Sequence, residues 1–185
     1  MDLSLRRAER HDVPAAQAAY RAIIDHLAAT VDFPHWHTEN HPTPDEVAAW
    51  IEAGELYLAI TRAGADRTDT QPETIAGVAV LNYDAAEQYA DATWAIDATP
   101  DEVLVVHALG VVPAFLGRGV ARHLVESSLQ LARDWKLRTV RLDTYVENIP
   151  ARRLYARCGF HDLGCHTVRY EGTDLSQFHL FEYVL

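Results

Sequence analysis

Polar and apolar positions alternate with period two over Leu3 to Arg7, the pattern of a half-buried strand. The spacing then changes. From Asp12 and Pro14, a helix-opening pair, Val13, Ala16, Tyr20, Ile23, Ile24 and Leu27 recur on one helical face. Thr43-Pro44-Asp45-Glu46 is a capping box with proline in the first turn, and Gly54 ends the second helix it opens. Leu56 to Thr61 reads as a strand, Ala63 to Pro72 as a polar hairpin loop and Thr74 to Asn82 as the returning strand. An irregular excursion from Tyr83 to Glu102 precedes the apolar run Val103 to Val112, which Pro113 ends. Continuous β-branched and small residues predict a central strand covered on both faces.

After that strand, Val120, Leu124, Leu131 and Trp135 predict a helix, and Thr139 to Tyr145 a further strand. Asn148 is a good N-cap, Pro150 suits a first helical turn and Gly159 suits the position past a helix end, which brackets a short helix from Ile149 to Cys158. A strand, a turn containing Gly172 and a last strand over Gln177 to Val184 follow. The order β-α-α-β-β-β-α-β-α-β-β predicts an α/β fold, a mixed sheet of six or seven strands flanked by about four helices. No repeat or long linker divides residues 1–185, which read as a single domain.

Between the central strand and its helix lies Leu116-Gly117-Arg118-Gly119-Val120-Ala121-Arg122. The first amides of a helix have no internal partner and sit at the positive end of its dipole, so they attract phosphate. Glycines bring such amides close to an anion without a steric shield. A P-loop would need Gly-Lys-Ser/Thr at the helix start, and the only lysine, Lys136, lies at its far end. A dinucleotide fingerprint would need a third glycine where Arg122 stands, although Asp143 sits at a suitable distance on the next strand. That reading, a nicotinamide-dependent oxidoreductase, stays open on the loop alone.

The segment Asn148-Ile149-Pro150-Ala151-Arg152-Arg153-Leu154-Tyr155, followed by Gly159-Phe160, makes the reading specific. Together with Leu109-Gly110-Val111 and the glycine loop, it resembles the GCN5-related N-acetyltransferase (GNAT) family, whose pattern includes Asn, then Ala, then Leu-Tyr, then Gly-Phe. The matched core covers about a third of the chain. The resemblance implies the acyl-coenzyme A N-acyltransferase fold and an acetyl-coenzyme A-dependent acetyltransferase. The cosubstrate would be held by Leu109, Gly110, Val111, the loop Leu116, Gly117, Arg118, Gly119, Val120, Ala121 and Arg122, and by Asn148 and Arg152. Leu116 departs from the Arg or Gln usual at the loop's start.

By the same resemblance Tyr155 lies near the thioester sulfur as general acid. A neutral phenol can protonate a departing thiolate. The attacking amine must be neutral, and His107, on the central strand just before the expected carbonyl site, is the candidate base because imidazole titrates near neutrality. In this family the central strand splays from its neighbour at a bulge, for which Gly110 is suited. Cys158 and Cys165 lack an identifiable base, so an acetyl-enzyme route is disfavoured.

Charge sharpens the picture. Residues 117–157 hold nine Arg or Lys against four Asp or Glu, whereas the whole chain carries a net charge of −11. A basic segment thus coincides with the site expected for a polyanionic cosubstrate, and the acidic remainder suits a cationic amine and repels nucleic acid. Acceptor contacts are expected from Phe33 and Trp36 in the Val31 to His41 segment, from Tyr83, Tyr89, Trp94 and Asp97 in the excursion, and from Tyr145. His35, His37 and His41 invite a metal, but no cysteine or carboxylate pattern completes a site, so none is expected. The acceptor could be a small polyamine, an antibiotic, an amino acid derivative or a protein amino group.

Of the 185 residues, 49% are hydrophobic, enough for a sizeable core, and two cysteines make no disulfide framework. No apolar run reaches about 18 residues and the start lacks a secretory hydrophobic region, so no membrane association and a cytoplasmic location are expected. A homodimer through an edge strand stays open. So does a noncatalytic acyl-coenzyme A sensor that keeps the fold without turnover.

Overall fold

The computed structural model describes residues 1–37, 39, 41–62, 73–170 and 173–185. The expected hairpin loop over Ala63 to Pro72 and the turn at Gly172 lie outside them. Among the described residues the strands are β1 (Leu3–Arg7), β2 (Leu56–Arg62), β3 (Glu73–Asn82), β4 (Val103–Val111), β5 (Thr139–Tyr145), β6 (His161–Thr167) and β7 (Gln177–Val184). The helices are α1 (Val13–Ala29), α2 (Pro44–Ala53), α3 (Val120–Asp134) and α4 (Ile149–Arg157). They form one mixed sheet in the order β1-β2-β3-β4-β5-β7-β6. Only β4 and β5 run parallel among its pairs. A dinucleotide fold would need a mostly parallel sheet, and this topology removes that alternative.

Local signals act where the sequence places them. Thr43 Oγ1 accepts from the Glu46 amide while the Glu46 carboxylate accepts from the Thr43 amide, and Gly54 closes α2 in the left-handed conformation at φ 76°. Asn148 Oδ1 caps α4 by accepting from the Ala151 amide at 3.2 Å.

The sheet has a core on each face. Leu104, Val106, Val140 and Leu142 pack on one side with Val120, Leu124 and Tyr155 of α3 and α4. On the other side Val78 and Val80 meet Tyr20 and Ile23 of α1, and Val103 and Val105 meet Tyr89 and Phe178. The short α3-to-sheet distance depends on Gly77 in β3. A Cβ there would lie 2.8 Å from Val120 Cγ1 and 2.9 Å from the Gly110 carbonyl oxygen. Gly77→Ala is therefore expected to destabilise the fold by about 1–3 kcal/mol through overpacking, read as a lower urea midpoint with unchanged slope.

Two irregularities shape the middle of the sheet. Pairing of β4 with β5 runs only from Val103 opposite Thr139 to Val105 opposite Arg141, after which the strands part. Against β3, Val80 faces His107 and Val78 faces Gly110, so β4 carries one extra residue, a bulge. The sequence points to Gly110 for this distortion, but the left-handed residue is Ala108 at φ 46°. Tyr20, fully buried, donates its hydroxyl to the Ala108 carbonyl at 2.9 Å, which helps hold the bulge. Gly110 serves close packing instead, since a Cβ there would meet Ile23 Cδ1 at 2.8 Å and Trp36 at 3.4 Å.

Candidate active site

Where β4 and β5 part, the sheet opens into a cleft of about 750 Å³ lined from both strands, α1, α2, α4 and the segments before α2 and β7. Leu109, Gly110, Val111, Leu116, Ala121, Asn148, Tyr155, His107, Trp36 and Tyr145, all expected from sequence, line it. Beyond Val105 and Arg141, β4 and β5 no longer satisfy each other's backbone groups, so an extended ligand with amide groups can pair there.

At the mouth, Gly117 (φ 72°) and Gly119 (φ 82°) turn the chain into α3. Nothing lies within 4 Å of where either Cβ would be, so these glycines are required by backbone conformation and leave the approach open. The first bond entering the helix is from the His123 amide to the Gly119 carbonyl at 3.0 Å, which leaves the amides of Val120, Ala121 and Arg122 without intrahelical partners. Arg118 lies over the Phe115 ring at 5.9 Å and Arg122 pairs with Glu126 at 2.8 Å on the exposed helix surface. Free amides at a helix start can hold an anion, and this loop presents them beside Arg118 and Arg122.

Tyr155 and His107 stand on opposite faces of the opened sheet. Tyr155 is buried with Leu142 and Val106, its ring 5.4 Å from Phe181 and 6.1 Å from Phe160. Its hydroxyl has no hydrogen-bond partner among the described residues, and burial pushes its titration well up, so it keeps its proton at neutral pH. His107 follows Val103 and Val105 in the strand alternation and belongs to the other face. His107 Nε2 donates to the Asp84 carbonyl at 2.8 Å, because a carbonyl oxygen can only accept. That bond leaves the Nδ1 lone pair of the neutral ring. Burial lowers the His107 pKa below the usual histidine value, an effect that the Asp84 carbonyl opposes.

Asp143 sits on the same face as His107, one step further along the parted β5. Tyr89 donates to Asp143 Oδ2 at 2.9 Å, and the Tyr170 hydroxyl donates to the same oxygen. Burial pushes its carboxyl up to about 6, against the lowering effect of Tyr170 and Tyr89. In the sequence Asp143 stands out only by its distance from the glycine loop, as in a dinucleotide fingerprint, and Tyr170 does not stand out at all. The available signal was a carboxylate at an inward position of an apolar strand.

The aromatic wall also differs from expectation. His35 stacks edge-on against Tyr145 at 5.7 Å, and Trp36 neighbours Tyr20 and His41 at 6.0 and 6.5 Å. Trp50, Glu46 and His41 join this wall through α2, with His41 Nδ1 3.0 Å from Glu46 Oε1. Phe33, Tyr83, Trp94 and Arg152 do not line the cleft, nor do Gly117, Arg118, Gly119, Val120 and Arg122 of the loop, which meets it only through Leu116 and Ala121. Tyr83 packs near Trp135 at 6.4 Å, and Trp94 lies under Arg141 at 4.1 Å while donating to the Tyr89 carbonyl. Arg152 turns to the Val146 carbonyl at 3.0 Å. An irregular segment gives no periodicity from which to read side-chain direction, which is why these residues could not be sorted in advance. His35, His37 and His41 are engaged separately, and no group of three metal-ligating side chains converges among the described residues.

Comparison with known proteins agrees with this architecture. The profile described as the acetyltransferase (GNAT) family matches residues 24–160. A streptothricin acetyltransferase from Escherichia coli is 36% identical over 70 residues, which are 38% of this chain and only 37% of that protein. Among solved structures, a GNAT-family acetyltransferase from Listeria monocytogenes superimposes with a TM-score of 0.71 at 22% identity, covering 99% of this chain and 95% of the other. Arabidopsis thaliana NAA60 in complex with acetyl-CoA gives 0.68 at 19% identity, covering 100% and 99%. At these identities the likeness concerns the fold.

Proposed function

Because the chain belongs to the acetyltransferase (GNAT) family, we propose that it transfers the acetyl group of acetyl-coenzyme A to a primary amine of a small cationic acceptor. The observation that carries this reading is the opening between β4 and β5, with a backbone anion site at its mouth and Tyr155 and His107 on its two faces. The residues fit the cosubstrate. The amides of Val120 to Arg122 suit the phosphates, the free strand edges suit the amide-bearing arm, and Gly117 and Gly119 leave room for approach.

Acetyl-coenzyme A supplies an electrophilic thioester carbonyl and a thiolate leaving group. His107 Nδ1 takes the proton of the acceptor ammonium, directly or through water, so that the nitrogen attacks as a free amine. The amide of Leu109 or Val111, beside the bulge, polarises the carbonyl oxygen, and the rigid cleft holds the two reactants in attack geometry. As the tetrahedral intermediate collapses, Tyr155 Oη delivers its proton to the departing sulfur, and the nitrogen loses its remaining extra proton through water, which restores the phenol. The aromatic walls of the cleft support a small-molecule acceptor, and the streptothricin acetyltransferase relative, matched over 37% of its length, is in line with that choice.

Two measurements test the reading. Calorimetry is expected to show acetyl-coenzyme A binding, and thiol release is expected to depend on added amine; absence of binding would overturn the proposal. The second is a pH profile. Because the His107 pKa is lowered, its basic form persists to lower pH than that of a free histidine, and kcat/KM should fall only as pH drops below the usual histidine range. The nearby Asp84 raises this pKa and His41 lowers it, so the limb should shift in His41→Ala and vanish in His107→Ala.

A further inference from the structure

Asp143 is a carboxylate whose hydrogen bonds are arranged asymmetrically. Both tyrosine hydroxyls converge on Oδ2, while Oδ1 has no partner among the described residues, and the residue lines the cleft. No described lysine or arginine pairs with it. This matters because a largely buried carboxylate without a cation is costly unless a ligand supplies the charge. The surroundings add further carboxylates, although Glu46 already pairs with His41 at 3.0 Å. Glu46 and Asp84 also line the cleft, and among the described lining residues there is no lysine or arginine. Tyr145, Tyr170 and Phe178 add aromatic faces beside Asp143, with Tyr145–Phe178 and Tyr170–Phe178 ring separations of 6.1 and 5.4 Å.

From the strand register, His107 and Asp143 project from the same face on either side of the parting. Their chemistry divides the work. An amine about to attack must lose its proton, which the imidazole lone pair can accept, whereas a permanent ammonium needs a fixed anion, which Asp143 Oδ1 provides. We infer that the acceptor is a diamine or polyamine, whose second ammonium is anchored by Asp143 under the hydroxyls of Tyr89 and Tyr170 while its first nitrogen is acetylated. The inference rests on the acetyltransferase reading and narrows it. Acceptors carrying a carboxylate or phosphinate next to the amine meet no lysine or arginine among the described lining residues and face the carboxylates of Asp143 and Asp84, so they are disfavoured.

The test compares butane-1,4-diamine, butylamine and 4-aminobutanoate, which differ only at the end away from the reacting amine. Their affinities are measured by calorimetry on the full chain saturated with coenzyme A, at slightly alkaline pH where the Asp143 carboxylate is ionised. The diamine is expected to bind at least about tenfold more tightly than either other probe, as suits a charge-assisted hydrogen bond. Asp143→Asn, close in shape and still able to accept from the tyrosines, should abolish that preference while leaving coenzyme A affinity unchanged. Tyr170→Phe, which keeps the carboxylate but removes one of its supports, should reduce the preference partially.

Equal affinities for the three probes, undetectable diamine binding, or a preference that survives in Asp143→Asn would overturn the inference. Failure of coenzyme A itself to bind would instead overturn the acetyltransferase reading, so the two failures are distinguishable.

Discussion

Tyr155→Phe is expected to lower kcat for acetyl transfer by about two orders of magnitude while leaving the affinity for acetyl-coenzyme A nearly unchanged. The separation follows from what the hydroxyl touches. The ring packs against Phe160 and Phe181, contacts phenylalanine retains, but the hydroxyl has no protein partner among the described residues. Removing it leaves no unsatisfied group, so folding stability should change by less than about 0.5 kcal/mol. On the proposed mechanism, what disappears is a proton donor at the sulfur, an interaction made only as the thiolate leaves, and such a loss appears in kcat rather than in binding. Steady-state thiol release together with calorimetric titration reads both quantities. An unchanged kcat would remove Tyr155 from the mechanism.

The largest stability effect is expected at the buried ion pair of Arg141 and Glu182, which neighbours the cleft. Glu182, on β7, has a fully buried side chain that accepts from Arg141 Nε at 3.0 Å, from Thr139 Oγ1 at 3.1 Å and from the Ala95 amide at 2.6 Å. Arg141 also donates to the Ile96 carbonyl at 3.0 Å and covers the Trp94 ring. Glu182→Ala would leave a nearly buried guanidinium without its anion and free the Ala95 amide. The expected loss is about 3–5 kcal/mol in urea denaturation. The double replacement Arg141→Met with Glu182→Leu, which removes both charges, should recover a large part of it. The pair also tethers the segment after Tyr89, so Glu182→Ala should loosen the support of Asp143.

Much of this was legible along the chain. The β-α-α-β-β-β-α-β-α-β-β order, the caps at Thr43 and Asn148 and the left-handed stop at Gly54 are consequences of local rules, and each appears in the fold. The glycine loop and the Asn148 to Phe160 segment likewise carried the family. The excursion between β3 and β4 was not legible in the same way. Tyr89 and Trp94 were both read as acceptor contacts; Tyr89 reaches Asp143, whereas Trp94 is taken up by Arg141. No periodicity distinguishes them, because the direction of each side chain is decided by partners elsewhere.

The bulge teaches the same lesson at one residue. Glycine at 110 marked the strand as irregular, yet the distortion falls on Ala108, whose carbonyl accepts from the Tyr20 hydroxyl 88 residues away. Gly110 is instead small because Ile23 and Trp36 press on it.

The sequence by itself determined the elements, their order, the glycine turn before α3 and the placement of Tyr155 at the end of α4. These depend on interactions within a few residues, where period, capping and backbone freedom act. Only the tertiary structure decided that β4 and β5 part after Val105, that Tyr155 and His107 lie on opposite faces, and that Asp143 meets hydroxyls from positions 54 and 27 residues away. A buried carboxylate takes its character from the groups packed around it, and those are chosen by how the sheet folds, not by its neighbours in the chain.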